Sequence, residues 1–226
     1  MNKKIKKNTK KINDLLSNAI SNLSDLKNFL NQSKNEDNYK YLIFSGISYS
    51  NAIYEYIIVE ITNIFLKIKK KNSYDNLYIY MSKFNYSKLK SDFLENSIKN
   101  TLSIEDERSQ VDSKIMDTCI QNKNISRIEY IIKLLEIEIS DTEYIDYTNI
   151  FDFNSSEINN FDNLLNSIIS KYKERNDLLH GSVFYEEQLD SSKFDETLDF
   201  INNLIFLFKI IKEELIKKPI DIYSEL

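Results

Sequence analysis

The sequence holds a single histidine, His180, and only three of its 30 basic residues are arginines; one of these, Arg175, stands five positions before that histidine. The string Lys173-Glu174-Arg175-Asn176-Asp177-Leu178-Leu179-His180-Gly181 thus gathers side chains that a lysine-rich chain otherwise scarcely uses. A guanidinium is a planar, permanently charged fork of donors suited to phosphate, and an imidazole exchanges a proton near neutral pH. A carboxamide between them fixes the imidazole or a sugar hydroxyl by hydrogen bonding. These three residue types fit a site that holds a phosphodiester: Arg175 neutralises charge developing on phosphate, His180 relays a proton and Asn176 positions the substrate. They also fit a purely structural arrangement, with Arg175 paired to a carboxylate in a helical bundle and His180 capping a helix.

Metal chemistry has little to draw on. With one histidine, one cysteine and no histidine-glutamate metalloprotease pattern, a zinc centre would depend on His180 and carboxylates, and Asp and Glu are scattered without a diagnostic spacing. The expected site therefore uses neither metal nor cofactor. Cys119 excludes an intramolecular disulfide and reads as a helix-face residue, so no oxidising compartment is required. Six lysines fall within the first eleven residues without a following apolar stretch, which reads as a frayed basic terminus over 1–11 and not as a secretion signal. The expected location is the cytoplasm. The most apolar stretch, Ile53 to Leu66, is broken by Glu55, Glu60 and Asn63 and falls short of a bilayer span, so no membrane is implied. A formal net charge of −5 supplies no global attraction for nucleic acid, although an acidic protein can present a local basic groove.

The elements that must carry the string are helices. Two glycines and one proline in 226 residues leave too little punctuation for a sandwich or barrel, and the length fits one domain over 1–226. Ile12, Leu15, Leu16, Ile20, Leu23, Leu26 and Leu30 recur at helical spacing and predict an amphipathic first helix. Tyr39 to Lys69 is apolar around most of its circumference and predicts a helix central to a bundle, in which Gly46 serves packing. Residues 73–100 read as a loop with one or two short helices, and 104–120 and 125–138 as two further helices. Ile137 to Phe153, rich in tyrosine, aspartate and β-branched residues, fits either a short strand or an ordered loop.

The clearest pair of elements encloses the motif. Ser155 or Ser156 is the expected cap of a helix striped by Phe161, Leu164, Leu165, Ile168, Ile169, Tyr172 and Leu179, with Gly181 just past its end. Ser192 with Asp195 predicts the cap of a last helix, striped from Phe194 to Leu215 and stopped by Pro219. On the first of these helices Arg175 falls in nearly the same direction as Ile168 and Leu179, a face that ought to be packed, so its charge needs a partner, a cleft or an intermolecular surface. Glu55 and Glu60 are candidate partners. Being five residues apart, they are about 140° apart around their helix, so at most one faces the same packing surface.

Arginine, four intervening residues and histidine, with a polar residue directly after the arginine, resembles the signature of the HEPN superfamily. The stretch from Tyr172 through Arg175-Asn176 to His180-Gly181 looks most like its RiboL-PSP-HEPN branch. The resemblance extends over about residues 145 to 216, while the first half matches in helical character only. It implies an all-α, HEPN-like antiparallel helical bundle with additional short helices, paired into a symmetric homodimer whose two motifs face one cleft. It further implies a metal-independent endoribonuclease, a toxin or phage-defence effector, that cleaves RNA by attack of the substrate's own 2′-hydroxyl. Arg175 would bind the scissile phosphate and His180 would act in proton transfer, leaving a 2′,3′-cyclic phosphate and a 5′-hydroxyl. Two copies of His180 would supply the two proton-transfer roles that one histidine per chain leaves unfilled. The alternative is a catalytically inactive HEPN-like nucleotide-binding or partner subunit. An antitoxin or defence-system partner is also implied, but the chain reads His180-Gly181-Ser182, with the next tyrosine at Tyr185, where nucleotidyltransferase-paired toxins carry histidine, one residue and tyrosine.

Overall fold

A computed structural model describes residues 3–33, 39–69, 128, 129, 132, 135, 137–155, 157–180 and 191–217; for 3–8, 39–40, 59, 62–63, 65–69, 173–180 and 191 it describes the backbone alone. Five helices make up almost all of this: α1 (Lys3–Ser33), α2 (Tyr39–Lys69), α3 (Asp141–Phe151), α4 (Phe161–His180) and α5 (Ser191–Lys217). The described residues contain no strand, and none of their helices is long and apolar enough to cross a membrane. The segments expected to form helices at 73–100 and 104–120, together with Cys119 and residues 181–190, lie outside the described residues. Of 125–138, Ile128, Glu129 and Ile132 are helical, and the Ile137 amide donates to the Ile132 carbonyl at 3.0 Å. The helical path is over by Ile137.

The chain divides into two compact units, one of 1–57 with 132–220 and one of 58–131 with 221–226. In the second, Ile58, Ile61, Ile64 and Ile128 are buried. The first contains the motif and the rest of the described core.

In that first unit α1 buries Ile12, Leu16, Ala19, Leu23 and Leu30, a stripe at three-, four- and seven-residue spacing. This stripe packs on α5, which also packs against α4 and α3. From Phe200 to Ile211, α5 has no exposed residue, and only Asn202, Ile205 and Lys209 are half-buried. The central helix is therefore α5. The composition of α2 pointed to α2 instead, yet Tyr41, Tyr49 and Tyr56 stand 70%, 49% and 57% exposed along one of its faces. Tyrosine carries an apolar ring and a hydroxyl that water can satisfy, so an apolar-looking helix can keep a wet face. Gly46 does serve packing: a Cβ there would meet Leu30 Cδ1 at 3.0 Å and Thr197 Cγ2 at 3.1 Å.

The segment left open between strand and loop is a helix. Ser140 caps α3 from extended backbone (φ −72°, ψ 160°); its Oγ accepts the Glu143 amide, and the Glu143 carboxylate accepts the Ser140 amide at 2.9 Å. Such reciprocal capping satisfies donors that the first turn leaves unpaired. α3 ends on Asp152 in the left-handed region (φ 51°, ψ 49°), with the Phe153 amide donating to the Thr148 carbonyl. The next helix begins later than Ser155 or Ser156 suggested. The Ser155 hydroxyl accepts the Ile158 amide in a turn, and the cap of α4 is Asn160, whose Oδ1 accepts the Asn163 amide at 2.8 Å. Ser192 lies inside α5, which starts at Ser191.

Candidate functional site: the motif helix and its cleft

Arg175, Asn176 and His180 occupy the last two turns of α4, and His180 is its final helical residue. Only their backbone is described, so their side chains lie outside the described residues. Five residues of α-helix amount to about 7.5 Å of rise and about 140° of rotation between Arg175 and His180.

The helix that carries them is held on two sides immediately before the motif. Tyr172, three residues ahead of Arg175, donates from its hydroxyl to Glu55 Oε1 on α2 at 2.6 Å, and its ring packs on that of Tyr54 with centroids 5.4 Å apart. Of the two glutamates considered as partners of the motif, Glu55 thus reaches α4, and Glu60 belongs to the second unit. Toward α5, the Asn203 amide donates to Ser167 Oγ at 3.1 Å and the Lys171 ammonium pairs with Glu196. Residue numbers rise along α4 as they fall along α5 across these two pairs, so the helices run antiparallel.

Beside α4 and α5 opens a cleft of about 1170 Å³ that sequence reasoning did not find. α1 contributes Lys27 and Asn28 to its wall, the connection from α3 to α4 contributes Phe153 and Asn154, and α4 contributes Ser167 and Lys171. From α5 come Glu196, Asp199, Asn202 and Asn203, with Phe206 at the base. Phe153 lies flat on Phe206, the ring centroids 4.0 Å apart and the planes within 4°. The two α5 carboxylates are tuned in opposite directions. Asp199 is exposed, yet partial desolvation by its surroundings raises its carboxyl, reinforced by Asp195, Glu157 and Glu196 and opposed by Lys171. Burial also pushes Glu196 upward, but hydrogen bonds from Lys171 and Lys193 outweigh it and hold that carboxyl below its ordinary value. Among the described residues no three histidine, cysteine or acidic side chains group so as to hold a metal ion.

A second polar cluster ties α3 to the end of α5. The Tyr147 hydroxyl donates to Glu214 Oε1, and the Lys217 ammonium donates to both while its charge sits 4.5 Å above the Tyr147 ring. Tyr147 and Glu214 are buried. Burial first, then the bond to Glu214, pushes the Tyr147 hydroxyl up to about 12.

No protein-family model matches the chain, and no curated protein and no solved structure matches it.

Proposed function

We propose that the chain is a metal-independent endoribonuclease of HEPN-like character, acting as a homodimeric toxin or phage-defence effector. The observation that supports it most is the placement of Arg175, Asn176 and His180 on one unbroken helix, braced one turn earlier by Tyr172 against α2 and by Lys171 against α5. In this reading Arg175 stabilises charge on the phosphate oxygens, and Asn176 orients the imidazole or ribose. One His180 takes the proton of the 2′-hydroxyl as that oxygen bonds to phosphorus, and the other returns a proton to the departing 5′-oxygen as its bond to phosphorus breaks. The products are a 2′,3′-cyclic phosphate and a 5′-hydroxyl. No proton is gained or lost overall, and no metal enters the sequence.

The test is cleavage of single-stranded and looped RNA by purified protein in the presence of chelator. Arg175→Ala and His180→Ala are each expected to slow cleavage by about 100-fold or more while the helical content stays unchanged. Intact RNA across a broad substrate panel, or equal rates for wild type and both variants, would sink the assignment. The second reading is an inactive nucleotide-binding or partner subunit. The cleft favours it, because carboxamides, carboxylates and stacked phenylalanines bind small polar ligands without a proton shuttle.

A further inference from the structure

The cleft beside α4 has balanced charge, an apolar floor and fixed polar groups, and together these select an occupant. Its lining holds the carboxylates Asp152, Glu157, Glu196 and Asp199 against the ammonium groups of Lys27, Lys171 and Lys209. Lys171 is already paired with Glu196, and Lys209 lies over the Phe151 ring at 5.3 Å. Lys193 also bonds Glu196, so four carboxylates meet four ammonium groups and the cleft offers a phosphate chain no excess of positive charge. A neutral ring carrying N–H donors needs none.

The floor suits such a ring. Phe206 is buried at 2% exposure, and Phe153, stacked on it, is half-exposed and lines the cleft, so a flat heterocycle can extend the stack. The wall above it accepts hydrogen bonds. Asn203 is 5% exposed, one of its two amide hydrogens goes to Ser167, and no described residue donates to its Oδ1. Asp199 offers two carboxylate oxygens on the same helix, one turn earlier.

We infer that this cleft is a nucleobase pocket for an unpaired guanine, with Asp199 accepting the ring N1–H and the exocyclic amine, Asn203 Oδ1 accepting the amine's second hydrogen, and Phe153 stacking on the base. Guanine is singled out by its edge. It presents two adjacent donors, which match the two oxygens of one carboxylate. Adenine and cytosine each set a ring acceptor beside their amine, and uracil sets its N–H between two carbonyls. The inference rests on the reading of the chain as an RNA-acting protein and deepens it into a base preference. Lys171 of the cleft precedes Arg175 by four residues, about 6 Å of helix rise, so pocket and motif share adjacent turns of α4. Desolvation first, then the like charges of Asp195, Glu157 and Glu196, raises the Asp199 carboxyl, and its ionised form gains from donors brought by a ligand.

The experiment is calorimetric titration of the whole protein with guanosine, adenosine, cytidine, uridine and spermidine, none of which carries a phosphate. Guanosine is expected to bind at least 10-fold more tightly than the other nucleosides. Asp199→Asn, with helical content checked by circular dichroism, is expected to lose at least 10-fold of guanosine affinity, and Phe153→Ala to weaken all nucleosides together. Equal affinity for the four nucleosides, no nucleoside binding, spermidine binding in place of guanosine, or guanosine affinity unchanged in Asp199→Asn would each overturn the pocket. Because binding is read without cleavage, the two proposals part cleanly. Selective guanosine binding by a protein that cuts no RNA keeps the pocket and removes the nuclease; cleavage without guanosine selectivity does the reverse.

Discussion

Tyr147 shows how single residues here settle buried charge. Its hydroxyl stands between the Lys217 ammonium and the buried Glu214 carboxylate, donating to one and accepting from the other. Tyr147→Phe keeps the ring but removes the central donor, leaving Glu214 with Lys217 alone. That substitution is expected to cost about 1–3 kcal/mol in urea denaturation at pH 7, the range for a buried charged group that loses a partner. The pH dependence follows from the direction of the shift. Tyr144 and Tyr147 are both raised from 10 to about 12, mainly by burial, so the folded state holds their protons more tightly than the unfolded chain does. Their contribution is complete below pH 10 and is lost as pH rises toward 12. Denaturation at pH 9 and pH 11.5 should show the drop, and the Tyr144→Phe, Tyr147→Phe double variant should show a shallower one; an equal slope in wild type and double variant would refute this. Nothing in the sequence marks Tyr147 and Glu214 as a pair, because they lie 67 residues apart.

Among the elements, helices with a clean apolar stripe were legible and those with mixed faces were not. The stripes of α1 and α5 and the body of α4 follow from a period of 3.6, because burial on one side leaves a strong pattern. α3 carries β-branched and aromatic residues that suit a strand equally well, and its identity is set by the Ser140 and Glu143 capping box. That signal was present in the sequence but outweighed by composition. Composition does not reveal the wet face of α2 over 41–56, because tyrosine counts as apolar while tolerating water. Gly46 gives α2 a sharper test. Alanine would add about 1 kcal/mol of helix propensity but would push a methyl onto Leu30 and Thr197, which are 1% and 3% exposed and have little room to yield. Gly46→Ala is expected to lower stability by about 1 kcal/mol net. A rise in the urea midpoint would show that the packing relaxes.

At the scale of the whole molecule, the proposed motif is drawn from residue types alone, whereas the cleft has no sequence signal, since its walls come from four separated stretches of chain. The proposed dimer needs a face, and the exposed side of α2 is suited to one. Tyr41, Tyr49 and Tyr56 lie along it with the exposed small residues Ser45 and Ala52, and residues 41–59 contain one charged side chain, Glu55. In a twofold pairing each copy meets the same surface, so an uncharged face avoids setting like charges against each other, and tyrosine is enriched at such contacts. Light scattering at micromolar concentration should report a dimer. The Tyr49→Lys, Tyr56→Lys double variant should be monomeric and should lose RNA cleavage along with pairing. A monomeric wild type, or a double variant that stays dimeric, would remove this face from the proposal.

The packing of α1 on α5 joins residues near 12–30 to residues near 200–215, and it has a consequence for the order of events during synthesis. α1 must wait for this partner until all the residues between 33 and 191 have been made, because a contact so distant along the chain cannot form until both segments exist. The part of the α1 stripe that packs on α5 therefore lacks that cover until α5 is made, whereas Leu30 can already meet Gly46 of α2. α4 can meet Glu55 and Tyr54 of α2 as soon as it is made, but its α5 partner follows it in sequence. A ribosome making this protein thus carries, for a time, Arg175 and His180 on a helix that has its α2 brace but not its α5 brace, and the proposed chemistry would gain its full support only after α5 has emerged.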